Sequence, residues 1–281
     1  MATTHILLPT DFSTSSQNAI EYGIHIARVL DIKHITVLHT YVTNNAIANQ
    51  PVISAGLPEL LQDEQNELNT LKEKVQSALA ADVTVTALLL EGKLINIAHD
   101  LINNKGIDLI ILGISSKTKL EQNLVGSNAI NVMRKTNCPV IIVPEKAVWI
   151  DRPNIAAAID ITHDLDRLPI ERVKNAFRQL DGNKLYLVNI DEDNNHGIHI
   201  QNPNIEKISY RFNNLNTKLE VLSASDKRQA LEEYCAEKSI QLLVLFERKY
   251  GILNTIFHKS LIRQLAFGTH TPILVFEETN P

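Results

Sequence analysis

Gly126-Ser127-Asn128 is the stretch of this 281-residue chain with the most evident binding chemistry, because it stands at the start of a run with helical spacing that continues to Lys135. A helix start presents backbone N–H groups that have no partner within the helix. The aligned peptide dipoles add partial positive charge there, so an anion is favoured. Glycine lets a phosphate approach the backbone with no Cβ in the way, and a serine hydroxyl adds a donor. The same Gly-Ser pair also suits a plain helix cap, since serine is a favoured residue there. Upstream, Gly113 and Ser116 open the polar stretch that leads to Gly126. Pro9-Thr10-Asp11 ends the first apolar run, placing a hydroxyl and a carboxylate beyond a strand. In open parallel sheets, ligands bind at such strand ends.

Other chemistries find less support. The chain has no Gly-x-Ser-x-Gly elbow, no Walker loop ending in Gly-Lys-Ser/Thr and no His-Glu-x-x-His. His196 and His199 sit in the acidic loop that begins at Asp191, but histidine pairs in polar loops are usually solvated, and no metal site is expected. His25 and His99 fall within helical runs without partner ligands and read as packed or surface residues. Phosphoryl hydrolysis needs a base and a metal ligand beside the γ-phosphate. Asp11 is the one nearby carboxylate, so a binding module is expected rather than a dedicated enzyme, with no catalytic residues.

The elements that position these residues follow from hydrophobic periodicity. Strands are read at His5–Leu8, His34–His39, Val83–Leu90, Ile107–Leu112 and Pro139–Val143. A helix from Ser15 to Leu30 carries Ala19, Tyr22, Ile26 and Val29 on one face. A long helix follows with Leu61, Leu68, Leu71, Val75 and Ala78 along its inner stripe, then one from Lys93 that ends before Gly106, a favourable left-handed stop. Residues Gly113 to Gly126 read as a loop, and Asn128 to Lys135 as a short helix. Ile107 to Leu112 is apolar throughout, as a central parallel strand covered on both faces requires.

The pattern then restarts. Strands are read at Asn154–Asp160, Lys184–Ile190, Thr217–Leu222, Ile240–Leu245 and Pro272–Phe276, with helices over Ile205–Asn214 and Asp226–Lys238. Ile107–Leu112 aligns with Ile240–Leu245, and at the same offset Pro139–Val143 aligns with Pro272–Phe276. A self-similarity of domain length means two copies of one fold. The boundary falls between Pro144 and Pro153, giving domains at 1–146 and 153–279. Each is expected to be a doubly wound α/β domain with a five-stranded, mainly parallel sheet flanked by helices.

Composition agrees with this and narrows the setting. Hydrophobic residues make up 44% and charged residues 21%, with a net charge of −5. That balance offers no electrostatic footprint for nucleic acid or an anionic membrane surface. No apolar run reaches the length of a membrane span, and the N-terminus lacks the form of a signal peptide, so a cytoplasmic setting is expected. Cys138 and Cys235, the two cysteines, are expected as reduced, partly buried thiols.

The spacing from Gly113 to Ser127 resembles the universal stress protein family. Its nucleotide-binding members carry Gly, two residues, Gly, nine residues, then Gly-Ser or Gly-Thr after the fourth strand. Gly113, Gly126 and Ser127 fall at that spacing, Pro9-Thr10-Asp11 resembles the family's first-strand ending, and the likeness extends over the chain twice. The resemblance implies an adenine nucleotide alpha-hydrolase-like, Rossmann-like fold and ATP as ligand of the first domain, with magnesium able to accompany it. Asp11 would face the nucleoside and Gly113, Gly126 and Ser127 ribose and phosphates, with Pro9, Thr10, Ser116 and Asn128 completing the nucleotide-binding set. It also implies pairing of last strands, Val140–Val143 with Ile273–Phe276, as an internal pseudo-dimer that leaves room for a homodimer. Ser116 departs from the motif's second glycine; a positive φ there would cost about 1–2 kcal/mol. In the second half the motif positions become Phe246, Lys249, Lys259 and Ser260, so its phosphate cradle reads as decayed while Asp160 persists. The alternatives are a ligand-free scaffold and a slow ATPase.

Overall fold

The first strand, β1 (His5–Thr10), points Ile6 and Leu8 to one face of a sheet and Leu7 to the other, and all three are fully buried. The computed structural model describes residues 4–43, 51–115, 127–161, 165–191, 203–247 and 259–278. In the first half β1 is followed by α1 (Thr14–Val29), β2 (His34–Tyr41), α2 (Pro51–Ser77), β3 (Thr84–Glu91), α3 (Leu94–Lys105), β4 (Leu109–Ile114), α4 (Ser127–Lys135) and β5 (Val140–Pro144). The second half runs β6 (Asn154–Ala158), α5 (Ile170–Gln179), β7 (Lys184–Asp191), α6 (Pro203–Arg211), β8 (Thr217–Ser223), α7 (Lys227–Glu237), β9 (Leu242–Glu247), α8 (Lys259–Gly268) and β10 (Ile273–Glu277).

The ten strands form one sheet in the order β3-β2-β1-β4-β5-β10-β9-β6-β7-β8, two sets of five related by reversal. Pairing within each set is parallel. At the centre β5 meets β10 antiparallel, with Val140 opposite Val275, Ile141 opposite Leu274 and Ile142 opposite Ile273. The expected internal pairing of last strands is therefore present.

Helices cover both faces. Ala19 and Ile26 of α1, Leu68 and Val75 of α2, Val173 and Phe177 of α5 and Ile208 of α6 share one core layer with Ile6, Ile111 and Ile141. Leu94 of α3, Ile130 and Met133 of α4, Leu231 of α7 and Leu265 of α8 share the other with Leu7, Ile110 and Ile142. Each layer runs across both halves, so the halves are joined by apolar burial as well as by backbone pairing. Fully burying one such side chain is worth about 1.5–3 kcal/mol.

The local signals act as expected at several ends. Ser13 caps α1 by accepting from the Ser16 amide, Asp226 caps α7 by accepting from the Gln229 amide, and Gly106 ends α3 at φ 69°, in the left-handed region. The connector between halves docks on α1: the Asn18 side-chain amide donates to the carbonyls of Pro144 (3.0 Å) and Ala147 (3.1 Å), and Trp149 stacks on His25 and meets Tyr22 edge-on. Cys138 and Cys235 are free and buried, and burial pushes both thiols up to about 12.

Three expectations change. The long helix starts at Pro51, ahead of the stripe read from Leu61, and carries Pro58 inside it, a residue that removes a backbone donor and argues against a helix on sequence grounds. Gly113 belongs to β4 rather than to the loop after it. Helices α5 and α8 are present where the sequence reading named none. No helix among the described residues is long and apolar enough to cross a membrane.

Because β10 is hydrogen-bonded on both sides, Val275→Pro removes a ladder donor in the middle of the sheet. It should lower stability by at least about 1–3 kcal/mol, the cost of leaving a buried backbone acceptor unpaired. Chemical denaturation followed by Trp149 fluorescence would measure this.

Candidate functional site

Chain order places β2 on one side of β1 and β4 on the other, so the crossovers leave in opposite directions and the strand ends part. Pairing of β1 with β4 involves Ile6 with Leu109 and Leu7 with Ile110. Pro9, without an N–H, cannot donate further along. Beyond these pairs lies a hollow of 120 Å³ lined by Pro9, Thr10 and Asp11 from β1 and its end, Ser15 and Ser16 from α1, Leu38 and Thr40 from β2, Gly113 and Ser115 from β4 and its end, and Ala129 from α4.

Its floor is held by short side-chain bonds. The Thr10 and Ser16 hydroxyls lie 3.0 Å apart, and the Phe12 amide donates to Thr10 Oγ1 at 3.0 Å. His39 Nδ1 donates to the Thr10 carbonyl at 2.7 Å, and its ring lies 4.6 Å from that of Phe12. Phe12 itself holds φ 61°, a left-handed conformation that costs about 1–2 kcal/mol for a residue with a side chain. Such strain persists where neighbouring bonds impose it. Asp11 supplies part of that imposition: its Oδ1 accepts from the Ser13 amide (3.1 Å) and the Ser13 hydroxyl. Burial raises the Asp11 carboxyl, but the bonds from Ser13 and Ser16 outweigh it and leave the group below its ordinary value. The carboxylate is thus ionised, solvent-accessible and turned toward α1.

Gly113 has a packing reason that the sequence reading did not reach. A Cβ there would stand 2.1 Å from the Ser15 carbonyl oxygen and 2.8 Å from the Ser16 nitrogen. The first turn of α1 therefore lies directly on the Gly113 backbone, which brings Ser15 and Ser16 to the hollow. Sequence reasoning also passed over Ser115. It is 7% exposed, and its hydroxyl has no hydrogen-bond partner among the described residues. An unsatisfied buried hydroxyl costs about 1–3 kcal/mol, and here it lines a hollow where a ligand could satisfy it. The available signal was its position just past a continuous apolar strand.

The structure brings Pro9, Thr10, Asp11 and Gly113 together. Ser116 and Gly126 lie outside the described residues. Ser127 is the first residue of α4 and Asn128 the second; Ala129, which follows, lines the hollow, so this helix start adjoins it. His196, His199 and Lys249 also lie outside the described residues. Among those that are described, no group of three or more His, Cys, Asp or Glu side chains could hold a metal ion.

The second half departs from this arrangement. Register places Phe246 opposite Phe276 as Gly113 is opposite Val143. The Phe246 side chain occupies the core where the first half has none, stacked on Phe276 at 6.5 Å. A helix cannot then rest on that backbone, and α5 begins only at Ile170, well after β6 ends at Ala158, whereas α1 begins just past β1. Asp160 is buried, so the aspartate read as surviving from the first half is not open to a ligand as Asp11 is. Buried Asp191 and Glu247 add acidic groups at the carboxyl ends of β7 and β9.

Two consequences can be measured. Gly113→Ala must displace α1 backbone and should cost about 1–3 kcal/mol, seen as a lower melting temperature. Asp11 has a depressed pKa in the fold, so its contribution to stability is complete above the ordinary carboxylate range and is lost as pH falls through it. Asp11→Asn should therefore melt below the parent at about pH 7, with the gap closing toward about pH 3.

Comparison with known proteins identifies relatives of this chain. The sequence model described as the Universal stress protein family matches residues 2–144. Universal stress protein MJ0577 of Methanocaldococcus jannaschii is 29% identical over 160 residues, covering 50% of this chain and 94% of that protein. Universal stress protein MJ0531 of the same organism is 32% identical over 142 residues, covering 49% of this chain and 80% of that protein. The crystal structure of a universal stress protein from Archaeoglobus fulgidus superposes with a TM-score of 0.76 at 17% identity, covering 99% of this chain and 100% of that one, which shows that the fold extends over both halves. With the family match spanning the half that holds the hollow, the chain belongs to the universal stress protein family.

Proposed function

We propose that the first half is an adenine-nucleotide-binding stress-response module, with ATP as ligand, and that the second half is its structural partner. The carrying observation is the hollow at the strand-order switch, where Gly113 admits the start of α1 and the buried Ser115 hydroxyl lacks a partner among the described residues. Typical small-molecule sites run about 300–1,000 Å³, so a nucleotide seated in this hollow would extend beyond it. The start of α4, at Ser127, adjoins the hollow and is the direction in which phosphates find backbone N–H groups and a favourable dipole.

Asp11 is committed to Ser13 and shapes the turn, so its use as a general base would break the bonds that hold it. That favours binding over hydrolysis. Magnesium would accompany the phosphates. The second half offers a phenylalanine where backbone must be bare, and buried acids at its strand ends disfavour a polyanion. A cytoplasmic setting suits both the nucleotide and the reduced thiols.

The direct test is to denature the purified protein and chromatograph the supernatant for nucleotide, then to titrate the emptied protein with ATP. One site per chain is expected. Gly126→Lys, which copies Lys259 of the second half, should melt near the parent temperature without ligand but lose the ATP-induced rise. Obstructed backbone hydrogen bonds cost about 2–5 kcal/mol, against about 1 kcal/mol recovered by a screened charge. An undiminished rise in the folded variant would move binding away from this loop.

A further inference from the structure

A larger cavity, of 370 Å³, lies at the amino ends of β4 and β5, at the other end of β4 from the hollow. Its wall is apolar and comes from both halves: Ile26, Leu109 and Ile141 from the first, Leu242, Leu274 and Phe276 from the second. One face of α5 closes it. Arg172, Asn175, Ala176 and Gln179 follow one another at helical spacing along that face, three of them polar and one small.

Arg172 sets the chemistry. Its guanidinium carbon lies 5.2 Å from the centre of the Phe276 ring, a cation–π contact. Among the described residues it makes no ion pair or side-chain hydrogen bond, so its five donors are unused. Asp108 also lines the cavity, but its Oδ2 already accepts from the Thr4 amide (2.8 Å), the Thr4 hydroxyl (2.9 Å) and the His5 amide (3.0 Å). A guanidinium is shaped to bind a carboxylate through two parallel bonds.

We propose that this cavity is a second small-molecule site, distinct from the nucleotide hollow, that takes an amphipathic carboxylate of the medium-chain fatty acid class. The alkyl chain lies between the halves against Leu109, Ile141, Leu242 and Leu274, and the carboxylate meets Arg172, with Asn175 and Gln179 beside it. The volume falls within the range of small-molecule sites, and the wall has the composition such sites share: mostly apolar, with a few polar groups that fix orientation. Occupancy would bridge the two halves, because residues of both touch the chain.

The test uses the full-length protein with decanoate and, as its uncharged counterpart, decanol. Isothermal titration should show saturable binding of decanoate to one site per chain, unchanged by saturating ATP. Arg172→Gln should weaken decanoate about tenfold to a hundredfold, the worth of a charge-assisted hydrogen bond, and leave decanol unchanged. Ala176→Phe fills the space under α5 and should abolish both, with the circular dichroism of the parent. No saturable binding by the parent overturns the proposal, as does equal weakening of both ligands by Arg172→Gln. Displacement by ATP overturns it too, by placing the fatty acid in the nucleotide hollow. If Ala176→Phe fails to fold, the Arg172→Gln comparison decides alone.

Discussion

Strands β5 and β10 each have one edge satisfied by a parallel neighbour, β4 and β9, and a second edge that would otherwise be open and apolar. Their antiparallel pairing closes both edges at once, and much of the molecule depends on it. It turns two five-stranded sheets into one and lets each apolar layer run from the first half to the second. Because the pairing is antiparallel, the carboxyl ends of the two strand sets point to opposite ends of the sheet. The two strand-order switches therefore cannot share a ligand. What the halves do share is the space beside their junction, where the amino ends of β4 and β5 meet α5 and β10.

Within that frame one exchange between the two copies bears directly on the hollow. Gly113 permits the first turn of α1 to lie on the β4 backbone, which brings Ser15 and Ser16 beside Thr10 and gathers hydroxyls at the strand ends. Phe246 fills the same position with an aromatic ring that packs on Phe276. The gain is core burial, and the loss is any close helix start. The second copy spends the position on the fold and the first on the hollow. Phe276, the partner of Phe246 in that stack, also lies under Arg172 and lines the other cavity.

The hollow's floor shows how local bonds support a strained turn. Phe12 is held at positive φ by the hydrogen bond its backbone N–H donates to Thr10 Oγ1, by Asp11 hydrogen-bonded to Ser13 and by ring contact with His39. Each partner is itself anchored: Thr10 by Ser16, and His39 by the Thr10 carbonyl. The turn after β1 is thereby specified by side chains from β1, α1 and β2 together.

The last-strand pairing followed from the family resemblance, whereas the order of strands and the repeat were legible in the sequence because they rest on periodic apolar burial, a local property of the chain. Pro9, Thr10, Asp11 and Gly113 were legible as neighbours for the same reason: they end strands that a doubly wound sheet must place side by side. The early start of α2 was not, since Pro51 to Pro58 contradicts helical propensity and is overruled by context. Helix α5 was missed although Ile170, Val173 and Phe177 follow helical spacing, because its start is not announced by a capping side chain. Only the tertiary structure could decide what Gly113 is for, that Ser115 is buried with no partner among the described residues, that Asp160 is withdrawn from solvent, and that residues of two distant segments enclose a cavity around Arg172. Those facts depend on which atoms of separate elements approach one another, and a sequence encodes the elements more directly than the distances between them.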